Sequence, residues 1–322
     1  MTKKRLIWVD VAKAIAIILM VAGHELPQGP FRVWVFSFHM PLFFILSGYT
    51  SHRVRDWADF WNTARKLFLK IWLLACIITF LFHLESWIIS GYHDTYEQLF
   101  SSFIGAVFWG SDVPFSNHPT AGVMWFLFVF FWAKLFFDLL NLVFKRRVIF
   151  FAIIFAFAAY LISTRFWLPQ SLDIVPIASL FMAVGGELRG RAILESNWTF
   201  LIAIVSVILW LTCVQNGLYI ELATRHYPQF TWSIMAAVGG SIVTFLCSMA
   251  LTRSYQLRWL QLIGRHTLAI MCIHQLDLFW QNFQFMLPHK SVILIIFRLL
   301  LDFGLFFVYI LFLKLLNAKR QG

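Results

Sequence analysis

The sequence predicts an all-α, polytopic membrane protein with about ten transmembrane helices, and three observations carry that prediction. Apolar residues run for about 20 positions at a time, the length that a helix rising about 1.5 Å per residue needs to cross a hydrocarbon core of about 30 Å. Of the 322 residues, 61% are hydrophobic and 13% charged. Soluble domains average about 45–50% and about 25%, so too little polar surface is left here to coat a water-soluble globule. Finally, Lys and Arg gather in short clusters between the apolar runs, where membrane insertion puts them. Together these exclude a soluble enzyme, a disulfide-stapled secreted domain and, despite the net charge of +11, a nucleic-acid binder.

Ten spans are expected in order: 6–24, 33–51, 66–91, 122–143, 148–165, 172–189, 199–219, 231–252, 261–284 and 291–316. The first follows MTKKR in the manner of a signal peptide. Asp10 and Lys13 interrupt its apolar run and no small-residue cleavage site follows, so it is expected to stay as an uncleaved helix. The third and tenth are long enough to tilt, and the sixth is short, with Pro176 near its start. Between the third and fourth, residues 92–121 hold a second apolar stretch from Leu99 to Trp109. At about eleven residues it is too short to span and suits a re-entrant or interfacial helix. Counting Lys and Arg along this topology puts 19 on one side, from Lys3 to Arg320, and four (Arg32, Arg165, Arg225, Lys290) on the other. That asymmetry predicts both termini in the cytoplasm. No internal repeat or dividing linker interrupts the chain, which reads as one membrane domain over 1–322. Cys76, Cys213, Cys247 and Cys272 are scattered through apolar segments without metal-ligand spacing, so neither a metal nor a redox site is expected.

Ionisable side chains inside spans are costly, about 2.5–3.5 kcal/mol each on insertion scales, and each needs a reason. The first span holds Asp10, Lys13 and His24. Eleven steps of about 100° return to within about 20°, so Lys13 and His24 share one stripe, roughly 16 Å apart along the axis, with Asp10 within about 60° of it. The plain alternative is a snorkelling Lys and an interfacial His. The second span carries His39 ahead of Pro41, then Ser47, at a depth like that of His24; the alternative for His39 is a hydrogen bond to a carbonyl freed by the proline. In the ninth span His274 and Asp277 stand at i, i+3, and Arg298–Asp302 and Lys134–Asp138 form i, i+4 pairs elsewhere. Compensated pairs of that kind are expected to be scaffolding.

Asp10-Val11-Ala12-Lys13, ten residues, His24, and then FHMPLFFILSGY at 38–49 together resemble the acyltransferase-3 family of bacterial membrane acyltransferases. MWFL at 124–127 and IGRHTLAIMCIHQ at 263–275 add weaker likeness. Lys13-Ala14 stands where the family often has Arg-Gly, which keeps the cation but replaces a two-pronged grip with a point charge.

The resemblance implies transfer of an acyl group, most often acetyl, from acetyl-CoA or another acyl-CoA to a hydroxyl of a cell-envelope glycan or lipid-linked sugar. It also implies a place in the bacterial cytoplasmic membrane, among membrane lipids. Such chemistry needs a base, oxyanion donors and a dry site. His24 is the expected base, or a transiently acylated nucleophile, with His39 orienting it or steadying the oxyanion. Lys13 and Arg265 are expected to receive the acyl-CoA, with Asp10 holding Lys13. Trp125, Ser47 and His274 are expected to line the substrate cavity. A proton-coupled transporter or flippase is the rival reading, since intramembrane His, Asp and Lys also suit that task.

Overall fold

The structure is a computed structural model describing residues 5–26, 29–89, 91, 95–112, 118–276 and 292–319. Asp277, Lys290 and the end of the ninth expected span lie outside the described residues. Among the described residues, seven helical stretches are long and apolar enough to cross a membrane. The longest, Gly122–Ser163, turns at Lys145–Arg147 into α7 (Trp125–Phe144) and α8 (Val148–Ser163), which pack on each other.

Three expected spans are built differently. The second is two helices, α2 (Pro30–Phe36) and α3 (His39–Thr50). Pro41 has no N–H to give to a preceding turn, so it is accommodated only in the first turn of a new helix, and the chain breaks at Ser37–Phe38. The third begins earlier: α4 (Trp57–Leu67), capped by Asp56, runs through a π-helical turn at Phe68–Trp72 into α5 (Leu73–Ile89). The ninth breaks at His266 into α12 (Arg258–Arg265) and α13 (Thr267–Gln275). The short stretch expected in 92–121 is α6 (Tyr96–Trp109), closed by a Thr95–Gln98 capping box and a left-handed Gly110. At about 1.5 Å per residue it falls well short of the hydrocarbon core.

α1 (Ile7–Glu25) is the central post, touching α2, α3, α11 (Phe230–Ser254), α12, α13 and α14 (Val292–Lys319). The bundle closes where small residues allow backbones to meet, as expected when lipid tails offer no hydrophobic drive between helices. A Cβ on Gly48 of α3 would fall 1.8 Å from the Met182 carbonyl oxygen of α9 (Val175–Gly190). One on Gly264 would fall 1.8 Å from the Asp10 carbonyl oxygen of α1. The buried hydroxyls of Ser179, Ser241 and Ser248 turn inward on their own helices, to the carbonyls of Val175, Ala237 and Thr244, so these three need no water. Phe150 and Phe157 of α8, Phe200 and Ile208 of α10 (Thr199–Gln215), and Phe307 and Phe312 of α14 face outward. Hydrocarbon covers such a surface without cost.

Candidate functional site

A cavity of about 340 Å³ lies against α1. Lys13 lines it at one end and His24, two helical turns beyond Ile17 and about 16 Å from Lys13, at the other. His39, Ser47 and Trp125 line it from the side, so five of the expected site residues share one space. The walls are otherwise apolar and aromatic, Phe36, Phe126 and Phe130 among them.

The break in the second span sets the two imidazoles. Ending α2 at Phe36 leaves carbonyls without intrahelical partners, and His39 Nδ1 lies 3.0 Å from the Val35 carbonyl oxygen. A carbonyl only accepts, so Nδ1 carries the hydrogen and a neutral His39 has a lone pair on Nε2. With its ring 2% exposed and no other partner among the described residues, that nitrogen faces the cavity. His39 is thus both a satisfied core group and a base; it can steady an oxyanion only when protonated. Phe36 lies between the two histidines, its ring centroid 4.8 Å from His39 and 5.9 Å from His24.

Behind His24 is a buried polar network that the sequence showed only in part. The His274 ring is 5.3 Å from that of His24. Its Nδ1 is 2.7 Å from Asp302 Oδ2 and 2.9 Å from Arg298 Nη2. Arg298 Nε in turn lies 3.7 Å from both Glu25 and Asp302. The expected Arg298–Asp302 pair is present, but it braces His274 from α14. His274 therefore touches His24 rather than lining the cavity. Lys134–Asp138 also pairs as expected, away from these residues.

A further expectation is corrected. Asp10 does not hold Lys13: its carboxylate accepts two hydrogen bonds from Arg5, at 2.6 and 2.9 Å, and lies 3.6 Å from Arg265. The bidentate fork of Arg5, just ahead of the same helix, outcompetes a Lys one turn on. Arg265, engaged there and half exposed, is not in the cavity wall. Lys13 makes no hydrogen bond or ion pair among the described residues and is left to the cavity. On the side bearing the basic clusters, a second hollow is walled by Arg53, Arg55, Lys145, Arg146 and Arg147. No group of three His, Cys, Asp or Glu able to hold a metal occurs among the described residues.

Residues that sequence reasoning missed stand at the His24 end. Asp112 and Glu221 line the cavity there, with Arg32 3.8 Å from Glu221 and stacked 3.9 Å over Phe36. Burial and the nearby Glu221 charge push Asp112 up to about 6, against the pull of Arg32, and burial likewise raises Glu221. No motif or spacing in the sequence marks Asp112 or Glu221.

The sequence profile of the acyltransferase-3 family, an acyltransferase domain, matches residues 6–316. The chain belongs to the acyltransferase-3 family. No curated protein and no solved structure matches it. As a member of that acyltransferase family it is a multi-pass membrane protein, and the Lys13 and His24 of its first helix meet in one cavity.

Proposed function

We propose that the protein moves an acyl group, acetyl foremost, from a coenzyme A thioester to a hydroxyl of a cell-envelope glycan or lipid-linked sugar. In this reading it lies in the bacterial cytoplasmic membrane with about ten spans and both termini cytoplasmic, the side the basic clusters favour. The observation that carries the reading is the single cavity joining an uncommitted ammonium to two imidazoles within an acyltransferase domain.

Lys13 attracts the anionic donor from the cytoplasmic side, and the hollow of Arg53, Arg55 and Lys145–Arg147 suits its phosphates. His24 takes the proton of the acceptor hydroxyl as its oxygen attacks the thioester carbonyl. The tetrahedral adduct then expels the thiolate, which leaves with the proton held on His24, so the acyl C–S bond is exchanged for a C–O bond. His274, braced by Asp302, sits where it limits rotation of His24. Apolar walls keep water from competing for the acyl group.

The test is the thermal midpoint of the detergent-purified protein with and without acetyl-CoA, beside Lys13→Ala. A ligand that binds only the folded state raises the midpoint by mass action. A saturable rise that fades in Lys13→Ala is expected; no rise at millimolar acetyl-CoA would favour transport instead. Labelled acetyl-CoA sealed inside vesicles is further expected to acylate an acceptor outside them.

A further inference from the structure

Beside the imidazoles the cavity is lined by two carboxylates that the transfer chemistry leaves unused, Asp112 and Glu221, with Arg32 3.8 Å from Glu221. We propose that Asp112 and Glu221 form the acceptor subsite and select a hydroxylated acceptor with no negative charge beside the reacting hydroxyl. The proposal rests on the acyltransferase reading above and adds to it the place and charge preference of the acceptor.

The two carboxylates are held in position by separate parts of the chain. Glu221 belongs to a segment folded inward, with Ile220 and Leu222 almost fully buried. Its backbone pairs with His226 in both directions, at 2.9 and 3.0 Å. The segment is pinned by Arg225, which is buried against Asp173 at 2.9 Å and stacked 3.7 Å over Trp167, and by a Tyr227–Ser163 hydrogen bond. Asp112 is held through its backbone, which accepts from the Thr120 hydroxyl, while that hydroxyl accepts from the Gly122 N–H at 2.9 Å. Both side chains are thus carried on fixed backbone and aimed into the space that His24 and His39 share.

Their hydrogen-bonding capacity is unspent. The Asp112 carboxylate makes no hydrogen bond or ion pair among the described residues, and that of Glu221 has only Arg32, at 3.8 Å, beyond hydrogen-bond reach. His39 Nε2, nine-tenths and more buried, also faces the cavity without a partner. Carboxylates accept from hydroxyls, and vicinal hydroxyls of a sugar present donors in pairs. A phosphate or uronate at this end would face two carboxylates against one guanidinium, in a largely apolar space where such repulsion is poorly screened. The opposite end, with Lys13, has the reverse preference, so an anionic donor and an uncharged acceptor are sorted to opposite ends of the same cavity.

The test uses the full-length protein in detergent with radiolabelled acetyl-CoA and two soluble probes, methyl glucoside and methyl glucuronoside of one anomeric form. Acetylation of the glucoside and none of the glucuronoside is expected. Glu221→Gln should raise KM for the glucoside about tenfold, the scale of one lost charged hydrogen bond, with kcat within about twofold. The double change Asp112→Asn with Glu221→Gln should admit the glucuronoside. An unchanged acetyl-CoA-induced rise in midpoint shows that these variants are folded. Wild-type protein that acetylates both probes equally, or neither while still showing the acetyl-CoA-induced rise in midpoint, overturns the proposal. Absence of that rise in the wild type would instead mark failure of the acyltransferase reading itself.

Discussion

The two ends of the cavity are built on opposite plans. At one end a single flexible ammonium, Lys13, projects from the middle of a long helix, and the hollow of basic side chains lies on the same side of the bundle. At the other end two imidazoles and two carboxylates are gathered from α1, α3 and two connecting segments, and each is held by backbone contacts or a buried neighbour. A point charge on a mobile stem suits long-range attraction of an anion, which tolerates imprecision. Proton transfer does not, since a base must lie within hydrogen-bond reach of its proton. In the proposed reading, the ordering of side chains, which costs conformational entropy, is concentrated at the end where bonds change.

The sharpest break in that comparison is His24→Ala. Turnover should fall about 10²–10⁴-fold, the contribution of a positioned base, while the acetyl-CoA-induced rise in thermal midpoint persists. A loss under about threefold would move the base to His39, whose Nε2 is equally available. A packing change should spare neither end. In Gly48→Val the new side chain collides with the Met182 backbone, and we expect a cost of about 3 kcal/mol or more, read as a lower midpoint and lost activity together. Lys13→Ala should act on the donor end alone, weakening acetyl-CoA about tenfold with the acceptor KM unchanged, and Lys13→Arg should recover most of it. An acceptor KM that moved with it would mean that the ends are not separate.

The smallest effect sharpens the acceptor end. Asp112 sits at about 6 in the fold against an ordinary value of 3.8. The folded state therefore holds its proton more tightly than the unfolded chain, and stability from this group rises as pH falls from about 7 toward 4. Asp112→Asn removes the cost of a buried charge, so its midpoint should exceed the wild type's by about 2–4 °C at pH 7.5, with the gap closing toward pH 4. A gap independent of pH would mean that Asp112 is not buried as described.

The stripe of Lys13 and His24 was legible because a helix repeats every 3.6 residues, and the two lie on one uninterrupted helix. His39 was legible beside its proline, though its dual character was not, since that depends on which carbonyl the break in the helix releases. The partners of Asp10 were not legible, because Arg5 precedes the helix and Arg265 reaches it from across the bundle. His274 was found without its partner Asp302, which is 28 residues away on α14. Asp112 and Glu221 carried no periodic or motif signal at all.

By itself the sequence determined that the chain is helical and membrane-embedded, which helix bears the cation and the imidazole, and which side collects basic charge. These follow from local properties: the length of an apolar run, the angular repeat of a helix, and the insertion preference of Lys and Arg. Only the tertiary structure decided that Arg32, Asp112 and Glu221 meet, that Arg265 and Asp10 turn away from the cavity, and that Asp302 braces His274. Such meetings depend on how connecting segments fold back over the bundle. No repeat along the chain encodes a contact between residues a hundred positions apart.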